Sequence, residues 1–220
     1  MASINLLKKT GISLTKGNSV ALAKDNTLLQ KICVGVNWGQ INKKSFFGMI
    51  STSDLVDLDV SVAFYGFDNK LIDIVYYKKR ESNDHSVKHS GDDRIGDLTD
   101  DDVDNEVITV DLNMVNRNTK FIVFLLNSHS KQDFSAIPYT KIRIFEGSPK
   151  EVMNVFTTFN LSSDLSFKGK ISMIMGRLTL NEDSRWQFSA IGEPTDGEDI
   201  KQTVDTVSYT HLTLPTNREV

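Results

Sequence analysis

The sequence predicts an all-β fold, a β-sandwich of two antiparallel sheets with about ten strands. Three observations lead there. Short runs rich in β-branched and aromatic residues recur along the 220 residues, with turn residues between them. No stretch carries a long apolar period of 3.6 residues. Where the runs are longest, apolar and polar residues alternate, as on a strand with one buried face.

In chain order, the first run is SVALA (19–23), followed by KICVGVNW (31–38), where Ile, Val and Trp crowd eight residues. VDLDVSVAFYG (56–66) alternates most clearly, and LIDIVYY (71–77) follows it across a short turn. EVITVDL (106–112) and KFIVFLL (120–126) are dense in β-branched and aromatic residues. TKIRIFE (140–146), VMNVFTTFNL (152–161), ISMIMGRLTL (171–180) and RWQFSAIG (185–192) complete the series. The only helical candidate is a turn or two near Leu112 to Arg117. Gln40 to Asp54, with Lys43, Lys44, Phe46, Phe47 and Gly48, reads as a loop with an aromatic tip. No internal repeat or low-complexity block is present.

The expected organisation is one β-sandwich domain over residues 1–193, a polar linker over 194–206, and a tail over 207–220. The tail's VSYTHLTLPT resembles a translated sequencing-adapter sequence, which predicts a non-native end and a natural chain continuing differently past Thr206. A chain of this length fits one well-filled domain. Hydrophobic residues at 39% and charged residues at 25% fall in the ordinary soluble range, and the longest apolar runs are far too short to cross a bilayer. The first residues lack the apolar block of a secretory signal, so the expected location is cytoplasmic. The single cysteine, Cys33, excludes an intrachain disulfide and reads as a buried thiol.

Charge is concentrated in one place. GDDRIGDLTDDDVDNE (91–106) sets eight carboxylates against Arg94 alone, within a net charge of −4 for the chain. Like charges about 4 Å apart repel by about 1 kcal/mol in water and about 4 kcal/mol at an effective dielectric of 20, so the segment needs either a counter-cation or open water. Calcium, which takes 6–8 oxygen ligands, is the natural cation. The same local field repels nucleic acid backbones. In VDLDVS, alternation puts Asp57 and Asp59 on one side of a strand, where they form either half of a cation site or a solvated edge. Asp100, Asp102, Asp104 and Asp111 fit positions one, three, five and twelve of an EF-hand loop. Asn105 at position six, and a flank that alternates like a strand, exclude that fold.

ISLTKGNSVAL (12–22), CVGVNW (33–38), VDLDVS (56–61), SVKHSGDDR (86–94), DNEVITVDL (104–112) and MIMGRL followed by WQFSAIGE occur in an order that resembles the TerD family of tellurium-resistance and stress proteins. The resemblance runs from about Ile12 to Gly192. It implies a calcium-binding β-sandwich without catalysis. It also implies that Asp57, Asp59, Asp92, Asp93, Asp104, Asn105 and Glu106 are ligands for one or two calcium ions. Asp97, Asp100 and Asp102 fall in the family's variable, glycine-rich stretch and complete the candidate metal set. The chain departs from the pattern at Ile95 and through LTDDDV, where Leu98 and Val103 resist the left-handed turns that glycine allows.

Catalytic motifs are missing: there is no GxSxG elbow, no GxxxxGK[ST] phosphate loop and no HExxH; the four histidines are scattered, and His85 and His89, four apart, read as surface residues rather than as ligands of a softer metal such as zinc. The expected function is therefore a non-enzymatic, calcium-stabilised scaffold for protein partners of a stress-response complex. The alternative is a calcium-dependent module docking on an anionic membrane surface, peripheral to the inner face, through Phe46, Phe47 and the basic run Lys78 to Arg80.

Overall fold

The structure is a computed structural model that describes residues 19–21, 23–24, 27–28, 30–44, 51–161, 165–210 and 212. The chain opens with short strands β1 (Ser19–Ala21), β2 (Ala23–Lys24) and β3 (Thr27–Leu28), then β4 (Lys31–Trp38). The hairpin β5 (Ile41–Lys44) and β6 (Ser51–Asp54) precedes β7 (Leu58–Gly66), β8 (Leu71–Val75) and β9 (Val87–His89). Next come β10 (Glu106–Asp111), β11 (Thr119–Ser128), β12 (Thr140–Ser148) and β13 (Glu151–Asn160). β14 (Ser172–Leu180), β15 (Trp186–Thr195) and helix α1 (Ile200–Thr210) complete the described chain.

Two antiparallel sheets form the sandwich. One has six strands in the order β1, β15, β14, β11, β7, β8; the other has five in the order β13, β12, β4, β10, β9. The predicted all-β class is present, and each predicted run from KICVGVNW onward falls on a strand; SVALA is divided between β1 and β2, with Leu22 outside the described residues. Between the sheets, Ile32, Val34, Val36 and Trp38 of β4 meet Leu58, Val60, Val62 and Phe64 of β7 in one buried cluster with Phe124, Phe134, Phe167 and Phe188. Alternation supplies this face, since successive strand side chains point to opposite sides.

The six-stranded sheet is buried on its other face too. Ala63, Tyr65, Val123, Leu125 and Ile174 pack under Val204, Val207 and Leu212. Tyr65 donates its hydroxyl hydrogen to the Val204 carbonyl at 3.0 Å, and Asn127 Nδ2 donates to Thr203 Oγ1 at 2.9 Å. The polar linker expected over 194–206 is therefore corrected: β15 continues to Thr195, and α1 covers the sheet. Its start is capped by Asp199, whose Oδ1 accepts from Gln202 N at 2.8 Å, and Ile200, Val204 and Val207 fall on one helical face. Few apolar residues at helical spacing suffice to seat a helix that composition alone reads as linker.

Three smaller differences follow from local pairing. Gln40 to Asp54, expected as a loop, contains the β5 and β6 hairpin, with Ile41 opposite Asp54. Its aromatic tip, Phe46 and Phe47, lies outside the described residues, as do most of ISLTKGNSVAL and the end of the tail. Leu112 to Arg117 forms hydrogen-bonded turns, such as Met114 N to Asp111 O at 3.1 Å, and no helix. The short strand β9 pairs with β10 and was not foreseen. No helix among the described residues is long and apolar enough to cross a membrane.

Phe124, fully buried between the sheets, and Leu165, 87% exposed, make opposite predictions for truncation. Phe124→Ala is expected to destabilise by about 3–5 kcal/mol and Leu165→Ala to change stability by no more than about 0.5 kcal/mol, both read from urea unfolding.

Candidate metal site

Strand β8 is short, and that shapes the site. It pairs β7 only from Val62 to Tyr65, so the start of β7 has no strand neighbour on that side. Side chains from the opposite sheet fill the gap. Val60 N donates to Glu106 Oε2 at 2.8 Å, and His89 Nε2 lies 3.2 Å from Val60 O. Glu106 opens β10 and His89 closes β9, so a corner of the sandwich is joined by side chains bonded to the main chain of β7.

The same two side chains hold the acidic loop. Glu106 Oε1 accepts from Asp93 N at 3.2 Å, and His89 Nδ1 accepts from Gly91 N at 3.1 Å, which leaves the His89 proton on Nε2, donated to Val60 O. Asp92, between these two anchored amides, is exposed and turns to the corner. From β7 and the residue before it come Asp59 and Asp57, 3% and 8% exposed. One oxygen from each of Asp57, Asp59 and Asp92 lies within 4.8 Å of the others. Two oxygens each about 2.4 Å from one ion can be at most about 4.8 Å apart, so the spacing fits a single calcium-sized cation.

Asp59 Oδ2 accepts from His129 Nδ1 at 3.1 Å, and His129 N donates to Asp57 O at 2.8 Å. Arg94 Nε stands 3.8 Å from Asp57 Oδ2. Asp57 Oδ1 is buried without a hydrogen-bond partner, a costly state for a carboxylate oxygen unless something binds it. The buried acids all hold their protons more tightly than usual. Burial, then the Glu106 and Asp57 charges, push Asp59 up to about 6, with His129 opposing. Burial raises Asp57 and Glu106 in the same way, with Asp92 and Asp93 adding to the effect at Asp57. At 4.8 Å and an effective dielectric of 20, each charged pair costs on the order of 3 kcal/mol.

The other candidate ligands are placed differently. Asp93 organises the loop: its Oδ1 accepts from Ile95 N and Gly96 N at 3.0 and 3.1 Å, and its Oδ2 accepts from Asn105 Nδ2 at 3.2 Å. Asn105 Oδ1 in turn accepts from Trp38 N at 2.8 Å. Asp97 is tied by main-chain bonds to Trp38 O and Gln40 N, and burial with the Asp101 charge raises its carboxyl. Asp100 pairs with Lys141, which also lies 3.5 Å from Asp102. Asp104 bonds Arg143 Nε at 2.8 Å over Gly35, on the face of the five-stranded sheet away from the core; a Cβ at Gly35 would collide with its carboxylate. The positive-φ positions of the loop are Gly91, Gly96 and Asp102, φ +147°, +67° and +61°, so Leu98 and Val103 escape the strain expected of them. Asp111, at the far end of β10, pairs with Lys31 at 3.2 Å.

Sequence reasoning missed His89 and His129. His89 was read as a surface residue, yet its side chain is fully buried. The signal available was its place at an alternating position in SVKHSGDDR, just ahead of the loop it anchors. His85 does lie at the surface, bonded to Glu81. Cys33 is buried, as expected, and burial pushes its thiol pKa up.

The class that the fold defines is a two-sheet antiparallel β-sandwich. The TerD domain matches residues 10–206, and the chain belongs to that family. It is 29% identical over 190 residues to tellurium resistance protein TerZ of Serratia marcescens, covering 86% of this chain and 93% of TerZ. It is 30% identical over 194 residues to stress response protein SCP2 of Bacillus subtilis (strain 168), covering 84% of this chain and 93% of SCP2. The crystal structure of a homologue of telluride resistance protein (TerD) from Streptomyces coelicolor A3(2) superposes with a TM-score of 0.64 at 16% identity, over 81% of this chain and 97% of that one. That last likeness concerns the fold.

A folded-state pKa near 6 for Asp59, above the usual value of about 4, means that the folded protein binds this proton more tightly than the unfolded chain. Its contribution to stability is full below pH about 4 and is lost as pH rises through about 6. In chelator, the melting temperature of Asp59→Asn should therefore gain on that of the unsubstituted protein between pH 4 and 7. A gap that stays constant with pH would mean that Asp59 is not the group held protonated.

Proposed function

We propose that this protein is a non-enzymatic, calcium-binding member of the tellurium-resistance and stress-response group, whose bound ion stiffens a surface for partner proteins. The observation that carries the reading is the convergence of Asp57, Asp59 and Asp92, with one buried Asp57 oxygen lacking any partner. The donor set suits a hard cation, being carboxylate oxygen only. Three carboxylates from two separate segments make an irregular cage, which suits calcium's flexible coordination better than the strict octahedron of magnesium.

The ion would be held by Asp57, Asp59 and Asp92, and would supply the positive charge that these acids lack. Glu106 and His89 position the loop that presents Asp92, and His129 orients Asp59. Binding restricted to the folded state stabilises it by about 2.7 kcal/mol at 100-fold excess over the dissociation constant. Stress tolerance on this reading comes from metal-dependent association, because one buried cysteine provides no thiol pair for tellurium chemistry.

Calorimetric titration with calcium and with magnesium, run beside thermal melting, tests this. Calcium should bind and raise the melting temperature more than magnesium does. Asp57→Asn and Asp92→Asn should each weaken binding by about tenfold or more, since each removes a charged ligand. Asp104→Asn should lower stability while leaving the calcium response in place, because its partner is Arg143. No heat and no thermal shift with calcium would overturn the reading.

A further inference from the structure

The corner carries more than acids. Leu55 and Ile95 are 53% and 51% exposed, and the bond from Val56 N to Ile95 O, 3.3 Å, sets them side by side on the outer rim next to Asp57. Leu98, 70% exposed, follows on the same loop. Cations share this rim. The Arg94 side chain is 73% exposed beside Asp57. The Arg80 carbonyl accepts from His89 N at 2.9 Å, which sets Arg80 beside the start of the segment that presents Asp92. Lys78 Nζ lies 5.3 Å from the centre of the Tyr77 ring, which packs edge-on against His129, the residue bonded to Asp59. The Tyr76 to Lys79 turn thus brings basic residues from beyond β8 onto the acidic corner.

We propose that this end of the sandwich docks on an anionic phospholipid surface, with the bound calcium bridging Asp57, Asp59 and Asp92 to lipid phosphate while Leu55 and Ile95 enter the interfacial layer. The proposal rests on the calcium reading above and names the chemistry that completes the ion's shell. Three carboxylates supply between three and six oxygens, whereas calcium takes 6–8, and Asp92 leaves the outer side open. Without the ion, the corner repels an anionic surface. With it, one negative charge is left on the three acids, and Arg94, Arg80 and Lys78 outnumber that charge. Asp93 and Glu106 turn inward onto backbone amides, while Asp100 and Asp102 are engaged by Lys141. At the three acids themselves the balance with these cations therefore turns favourable only in the calcium-loaded form, while Asp97 and Asp101 lie further along the loop, within electrostatic reach of Tyr139.

The apolar pair decides between lipid and other phosphate carriers. A soluble phosphate or a phosphorylated peptide is bound by the ion and the arginines alone, and would leave Leu55 and Ile95 in water. A bilayer offers phosphate and hydrocarbon at adjacent depths, matching a rim where cations and aliphatic side chains alternate.

The test is co-sedimentation of the full chain with phosphatidylcholine vesicles, with and without phosphatidylserine, in calcium, magnesium or chelator. Thermal melting of the same samples runs alongside. Pelleting is expected only with phosphatidylserine and calcium together. The double variant Leu55→Ser, Ile95→Ser should lose about tenfold or more in vesicle partitioning while keeping the calcium-induced thermal shift. Arg94→Gln should weaken partitioning less and make it less sensitive to salt. A calcium-induced thermal shift without vesicle binding would overturn docking and leave the calcium site standing. Equal pelleting of the double variant, or full competition by a phosphoserine peptide, would show a phosphate site that does not use lipid. Absence of the thermal shift itself would remove the calcium reading and the docking with it.

Discussion

The Glu106 carboxylate, fully buried between the two sheets, is the interaction on which this structure turns. It accepts from Val60 N of one sheet and from Asp93 N of the acidic loop, so a single side chain ties together a core strand, its facing sheet and the segment carrying Asp92. Burying a charge costs several kcal/mol unless it is paired, and here the nearest basic group is the His89 ring, 3.4 Å away. Asp59 and Asp57 add like charge beside it. Replacing such a cluster with apolar side chains would serve stability better, so its presence argues for a role that stability alone does not explain. On the proposed reading, a divalent cation at the corner would supply the missing countercharge.

Topology makes the corner available. Because β8 stops opposite Val62, the start of β7 has no strand partner on that side, and Glu106 and His89 bond the Val60 main chain instead. Elsewhere β7 is held firmly: β11 pairs along its full length, and α1 covers its outer face at Ala63 and Tyr65. Asp59 therefore projects from a rigid strand and Asp57 from the residue before it, while Asp92 projects from the loop between two anchored amides, those of Gly91 and Asp93. That combination suits an ion whose arrival fixes the loop and changes little else.

The strands were legible because β-branched residues, aromatics and alternation are local signals, and so was the placing of Asp57 and Asp59 on one face. The TerD resemblance led to Asp92 and Glu106. Their division of labour was not legible, because it depends on which strand ends where. Glu106 and Asp93 bond main-chain amides, Asp104 belongs to Arg143 on the outer face, and Asp100 belongs to Lys141. Spacing treats all of these as equivalent acids. Helix α1 did leave a mark in the sequence, in Asp199 followed three residues later by Gln202, the pattern of a capped start. Its apolar face is only a few residues wide, so composition hid it. His89 was hidden by the opposite circumstance: a polar residue on a three-residue strand whose burial comes from the facing sheet.

The central claim is that one divalent ion sits on Asp57, Asp59 and Asp92, held in place through Glu106 and His89. Nuclear magnetic resonance of the backbone amides during a calcium titration tests it most directly. The account predicts the largest shifts at residues 57–60, 91–93 and 129, with the Val60 and Asp93 amides moving together because both donate to Glu106. Shifts confined to residues 100–104, or no shifts at all, would contradict it.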